Sequence, residues 1–213
     1  MARPRTPKGR ARRTHDHLAD LYPDAECELD HANPFQLLIA TILSAQATDV
    51  GVNKVTPGLF ARFGDAESLA EADPEEVETL ISSLGLFRNK AKSITKCARQ
   101  LVEQHEGEVP TSMKDLTALA GVGRKTANVV RSVALGEPGL PVDTHVLRLS
   151  KRLALTELED PVKVELALNP MIPASERGLF SLRMILHGRR VCGARKPNCA
   201  DCPLAYYCPS VVV

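Results

Sequence analysis

The chain has 213 residues, of which 44% are hydrophobic, 25% charged and only 4% aromatic, with no tryptophan. That length and balance provide a core large enough for one large domain or two small ones, and they exclude disordered and collagen-like classes. The formal net charge of +1 is unevenly spread: Arg3, Arg5, Lys8, Arg10, Arg12 and Arg13 crowd residues 1–13 without an acid, and the remaining 21 basic residues face 26 acidic ones, a net −5. The protein is therefore not a uniformly basic nucleic-acid coat, and residues 1–14 read as a flexible basic arm able to follow phosphates. The arm lacks the apolar middle of a secretory signal, and no run of about 18 apolar residues exists to span a membrane, so a cytoplasmic protein is expected.

Helical periodicity dominates from there on. Asn33-Pro34-Phe35 offers a capping side chain and a proline for the first turn. Phe35, Leu38, Ile39, Ile42 and Leu43 then repeat at helical spacing and paint one face apolar. Pro57-Gly58 predicts a kink or break in a helix over about 50–63. Asp73-Pro74-Glu75-Glu76 starts another, with acids on the positive end of its dipole. Ala91, Ile94, Ala98, Leu101 and Val102 mark a third amphipathic helix, ending near Gly107. Two more, about 112–120 and 124–135, flank Gly121-Val122-Gly123, and residues 136–141 with three glycines or prolines in Gly136-Glu137-Pro138-Gly139 can only be loop. Periodicity resumes at Val146, Leu149 and Leu153, then over 161–169 and 176–187. Alternating strand patterns are scarce, so the predicted class is all-α.

The segment Gly121-Val122-Gly123-Arg124-Lys125-Thr126-Ala127-Asn128 is the most informative. Two glycines one residue apart let the backbone turn sharply and expose N–H groups beside a helix N-terminus, where donors and dipole favour an anion such as a DNA phosphate. A plain helical-hairpin turn has the same pattern; Arg124 and Lys125 tilt the balance toward phosphate. Lys125, in a first helical turn, is ordinarily a solvated charge, but partial burial there would disfavour its cationic form and make it a nucleophile able to form a Schiff base. Asp143, after a rigid loop, fits the N-cap of the next helix, a position that holds a carboxylate in place and ionised.

Cys27 and Cys97 stand alone and read as small buried apolar residues. Cys192, Cys199, Cys202 and Cys208, spaced C-x6-C-x2-C-x5-C, can surround one metal centre. Zinc ribbons usually show two Cys-x-x-Cys pairs, and here only Cys199 and Cys202 form one, while iron–sulfur clusters tolerate other spacings. Spacing alone leaves both metals open.

Together with Leu43-Ser44-Ala45-Gln46-Ala47-Thr48-Asp49, Val142-Asp143-Thr144-His145 and Ile185-Leu186-His187-Gly188-Arg189, these motifs make the chain resemble the endonuclease III family of DNA glycosylases over about residues 15–210. The resemblance implies two helical lobes with a DNA cleft between them. One is a six-helix barrel carrying the helix–hairpin–helix, here 27–137; the other is built from 15–26 plus 138–213 around a 4Fe–4S cluster held by the four cysteines. It implies that Lys125 is the nucleophile and Asp143 the carboxylate assisting it. The substrate would be double-stranded DNA containing damaged pyrimidines or abasic sites, bound by a monomer. By the same resemblance Gln46 fills the gap left by a flipped base and Leu86 wedges into the stack. Gly121, Val122, Gly123 and Arg124 would grip the backbone, and Arg195 and Lys196 would contact phosphates from the cysteine loop.

The chain departs from the family pattern at Ala120, where the hairpin commonly has proline, which is expected to loosen the turn slightly. The stretch Phe180 to Met184 and the basic arm also differ, which leaves lesion preference open. Two competing functions are a monofunctional mismatch or damaged-base glycosylase, which would generally lack Lys125, and a non-catalytic DNA-binding or redox-sensing protein.

Overall fold

The computed structural model describes residues 4–212, so Arg3 of the basic segment lies outside the described residues. Helices account for the regular structure, and the described residues hold no strand beyond one isolated bridge between Cys192 and Pro197. The chain divides into two compact units, Cys27–Glu137 and a second made of the N-terminal segment through Glu26 with the segment from Pro138 onward.

The Cys27–Glu137 unit contains α2 (Pro34–Leu43), α3 (Asp49–Arg62), α4 (Ala66–Ala70), α5 (Pro74–Leu80), α6 (Phe87–His105), α7 (Met113–Ala118) and α8 (Arg124–Val133). Asn33 caps α2 as its sequence predicts, its side chain accepting from the Gln36 N–H. Every residue from Leu37 to Leu43 is buried, so α2 is apolar all round and sits at the centre, against α3, α6 and α8. Each fully buried leucine or isoleucine there stabilises the unit by about 1.5–3 kcal/mol relative to exposure. The break expected at Pro57 does not occur: α3 is continuous with Pro57 inside it. Proline removes one amide donor, and buried Val52, Val55, Thr56 and Leu59 hold the helix across the gap. Helix α6 ends at Glu106 and Gly107, both in the left-handed region, with the Gly107 N–H closing back on the Leu101 carbonyl.

The other unit contains α1 (Pro7–Leu21), α9 (Thr144–Arg152), α10 (Pro161–Leu168) and α11 (Arg177–Arg190), with short 3-10 turns at Asn169–Met171 and Ala174–Glu176. Its core joins Leu18, Leu140, Val146, Leu149, Leu168, Phe180 and Met184. The flexible arm expected over 1–14 gives way to helix over 7–14, the start of α1. Thr6 caps α1, and Ala11, Thr14 and Leu18 are buried. Arg10 donates to the carbonyls of Leu153 (2.9 Å) and Ala154 (2.5 Å), which are orphan acceptors at the end of α9. Arg13 donates to the Tyr206 hydroxyl at 3.0 Å. Two of the arm's arginines therefore tie the first helix to the rest of its unit, while Arg5, Lys8 and Arg12 stay exposed. A count of charges could not show this, because the acceptors are backbone carbonyls.

Candidate nucleic-acid interface and cysteine site

The hairpin between α7 and α8 is built by Gly121. Its φ of +77° is a region glycine enters freely, and a Cβ there would meet Ile42 Cγ2 at 2.9 Å and Ser93 Cβ at 3.2 Å. Val122 is buried beneath the turn and its N–H closes back on the Leu119 carbonyl. Gly123 then occupies the N-cap of α8 with no side-chain acceptor, and nothing stands within 4 Å of where its Cβ would be. Most helices in the chain carry a Thr, Asn, Asp or Ser cap that accepts from the first turn. The open N-terminus of α8 is thus a place where an external anion can meet first-turn donors and the dipole.

Ala120 does not loosen this turn. Its N–H, which proline would lack, donates to Gln100 Oε1 at 2.7 Å, and Gln100 Nε2 donates to the Ala118 carbonyl at 3.2 Å. A glutamine on α6 thus clamps the hairpin from both sides.

Lys125 lies in the first turn of α8 and is exposed. Asp143, in the other unit, is the N-cap of α9. Its Oδ1 accepts from the His145 N–H (2.8 Å) and the Val146 N–H (2.9 Å), and its second oxygen takes no hydrogen bond among the described residues. The capping role and a free carboxylate oxygen therefore coexist.

Gln46 and Leu86 are brought together within the Cys27–Glu137 unit. Both line one open cavity, with Ile42, Ala45, Asn89, Lys90, Ser93 and Gly121. Both have left-handed backbones, at φ 54° and 59°, uncommon for residues with side chains and costly enough to need a reason. Leu86 is 58% exposed at the N-terminus of α6, a helix that also lacks a side-chain cap. Sequence reasoning missed Lys90. It is 5% exposed, its Nζ has no hydrogen-bond partner among the described residues, and burial lowers its pKa. The signal was available: Lys90 lies three residues after Phe87 and four before Ile94, on the apolar stripe of α6.

In the other unit Cys192, Cys199, Cys202 and Cys208 line a single cavity, together with Leu149, Arg152 and His187. None is in a disulfide. Burial pushes the Cys202 and Cys208 thiols up, and the neighbouring cysteines push them further the same way. Four thiolates so placed oppose one another's ionisation, an electrostatic load that a bound cationic centre would reverse. Among the described residues, no three His, Cys, Asp or Glu side chains gather closely enough to hold a single metal ion. Four cysteine sulfurs lining one cavity are a donor set that suits a thiolate-ligated metal centre. Arg152 holds the loop between the first two cysteines, donating to Cys192 Sγ (3.1 Å) and to the carbonyls of Gly193 and Ala194 (2.8 Å each). Arg195 and Lys196 are exposed on that loop. Cys27 is partly buried, and Cys97 is fully buried with its thiol pushed up to about 12.

Residues 39–174 match the family model of the HhH-GPD superfamily of base excision DNA repair proteins. The chain is 55% identical over 194 residues to the endonuclease III of Synechocystis sp., covering 91% of this chain and 89% of that one. The chain belongs to the endonuclease III family. Its fold agrees with a solved non-covalent complex of endonuclease III and DNA at a TM-score of 0.89 and 46% identity, covering 95% of each chain. A trapped covalent intermediate of endonuclease III with DNA matches equally, at a TM-score of 0.89 and 47% identity over 95% of this chain and 96% of that one. The all-α class expected from periodicity holds, and no helix among the described residues is long and apolar enough to cross a membrane.

Proposed function

We propose that this chain is a bifunctional DNA glycosylase and abasic-site lyase that removes oxidised pyrimidines from duplex DNA in base excision repair. The observation that carries this reading is an exposed lysine in the first turn after an uncapped Gly-Val-Gly hairpin, in a family with a solved covalent DNA intermediate.

In this reading the Gly121–Gly123 turn and Arg124 hold a backbone phosphate, which positions the duplex without reading its sequence. Leu86 enters the stack and Gln46 fills the space of the displaced nucleotide, and their strained backbones keep both side chains presented before DNA arrives. The bond from C1′ to the base breaks, its electron pair leaves with the base, and positive charge develops on the sugar. Asp143 would stabilise that charge electrostatically, its capping bonds holding the carboxylate still. The amine of Lys125, its ammonium proton released to solvent, attacks C1′; one of its protons then passes to the ring oxygen as the C1′–O4′ bond breaks, leaving a protonated C=N bond to the lysine. That imine acidifies the C2′ hydrogen, and its loss expels the 3′ phosphate and nicks the strand.

Cys192, Cys199, Cys202 and Cys208 would hold a 4Fe–4S cluster, which would cross-link the loop whose own Arg195 and Lys196 carry its positive charge. The chain acts as a monomer in the cytoplasm, on the nucleoid DNA. The test is borohydride trapping on duplexes carrying thymine glycol or an abasic site. A covalent adduct is expected with the native chain and none with Lys125→Ala. Base release without an adduct in the native chain would make the enzyme monofunctional, and neither product would leave a binding protein only.

A further inference from the structure

His187 on α11 is 1% exposed, and both of its ring nitrogens are occupied. Nδ1 faces the Tyr22 hydroxyl at 3.3 Å, and Nε2 faces Cys202 Sγ at 3.5 Å. Tyr22 is itself buried, just after the end of α1, with the Arg190 guanidinium 5.5 Å from its ring centroid. A hydroxyl, an imidazole and a ligand sulfur thus form one line across the unit, from its N-terminal helix to its cysteine cavity. The catalytic scheme uses none of it. A metal-bound thiolate can only accept, so a neutral imidazole facing it must carry its proton on Nε2. Nδ1 is then an acceptor, and the Tyr22 hydroxyl is the donor that fixes that tautomer.

We propose that Tyr22 and His187 are positioning residues for the cluster: the Tyr22 hydroxyl holds His187 in the tautomer that donates to the Cys202 sulfur, and this bond sets the cluster's reduction potential. Hydrogen bonds to ligand sulfurs withdraw electron density and favour the reduced, more negative state, so they raise the potential. Arg152 gives Cys192 a second such bond, but its guanidinium also clamps Gly193 and Ala194, so its removal would disturb the loop as well as the charge. The Tyr22–His187 pair separates the two effects, because Tyr22→Phe removes one hydroxyl at a distance from the sulfur.

The inference rests on the 4Fe–4S reading, so the first measurement is iron, sulfide and absorption near about 400 nm in the native protein. A colourless chain overturns the cluster reading and this inference with it. With a cluster present, voltammetry of the native holoprotein, Tyr22→Phe and His187→Leu gives the potentials. His187→Leu is expected to shift the reduction equilibrium about tenfold toward the oxidised form, equivalent to 59 mV for one electron. Tyr22→Phe shifts it the same way by less, and its borohydride trapping on abasic DNA stays within about twofold of native. An unchanged potential in Tyr22→Phe with full iron content overturns the tautomer lock. An unchanged potential in both variants overturns the proposal. If His187→Leu fails to hold iron, Tyr22→Phe alone decides.

Discussion

The two units close their cores by different means. The Cys27–Glu137 unit is made of consecutive helices around apolar α2, and its buried polar side chains are few: Thr41, Thr56, Lys90, Thr95 and Asn128. The other unit joins segments far apart in sequence, and it does so through polar side chains on backbone acceptors. Arg10 reaches the end of α9, Arg183 donates to the Tyr22 carbonyl at 3.1 Å, and Ser181 donates to the Pro141 carbonyl at 2.5 Å. Thr14 and Tyr207, 193 residues apart, share a buried hydroxyl pair. Apolar burial is non-directional and tolerates local repacking, whereas a buried polar bond is costly to break on one side. The first unit is therefore expected to be forgiving of substitution, and the second brittle.

The largest effect tests what each unit gives to the chemistry. Asp143→Asn keeps an acceptor for the His145 and Val146 N–H groups, and asparagine caps helices as well as aspartate does. Only the charge is lost. Turnover on thymine-glycol DNA should fall by about 100–1,000-fold with binding unchanged, as electrophoretic titration beside single-turnover kinetics would show. Equal losses in both would make Asp143 a structural cap alone.

Next is Arg10→Ala, which strands the Leu153 and Ala154 carbonyls and removes one of the ties that hold α1. A loss of about 1–3 kcal/mol is expected, and hydrogen exchange should show it confined to the unit that contains α1 and α9. Protection lost evenly across both units would erase the contrast. A smaller effect belongs to Gln100→Ala, which leaves the Ala120 N–H without its acceptor and should cost about 1 kcal/mol, read as faster exchange at the hairpin. Smallest, and opposite in sign, is Lys90→Met. Replacing an unpartnered buried ammonium with an apolar chain of similar length should raise the melting temperature by about 2–4 °C. A lower melting temperature would mean that Lys90 finds a partner in solution.

The contrast also explains what the sequence made legible. Helix positions in the Cys27–Glu137 unit follow from periodicity and caps, and Asn33, Asp73 and Gly107 mark their ends correctly. The four cysteines sharing one cavity, and Asp143 as a cap, were equally readable, because their signals are local. What escaped is long-range and polar. Nothing near Arg10 in sequence indicates that its partners lie 143 and 144 residues away, so a buttressed helix read as a loose arm. Gln100 is likewise an ordinary helix residue until the hairpin folds over it. The continuous α3 went unread because burial, not propensity, carries it past Pro57.

That one unit is assembled from both ends of the chain bears on how the protein is made. Domains generally fold as units, N-terminal first, while synthesis proceeds. Here α1 is synthesised well before its partners at Leu153, Ala154 and Tyr207. The Cys27–Glu137 unit, with Lys125 and the hairpin, can close during translation while α1 waits. The last cysteine, Cys208, and the hydroxyl of Tyr207 arrive almost together. Docking of the first helix and completion of the thiol set then fall at the same late moment, so a prematurely terminated chain would carry Lys125 and the hairpin without the finished cysteine site.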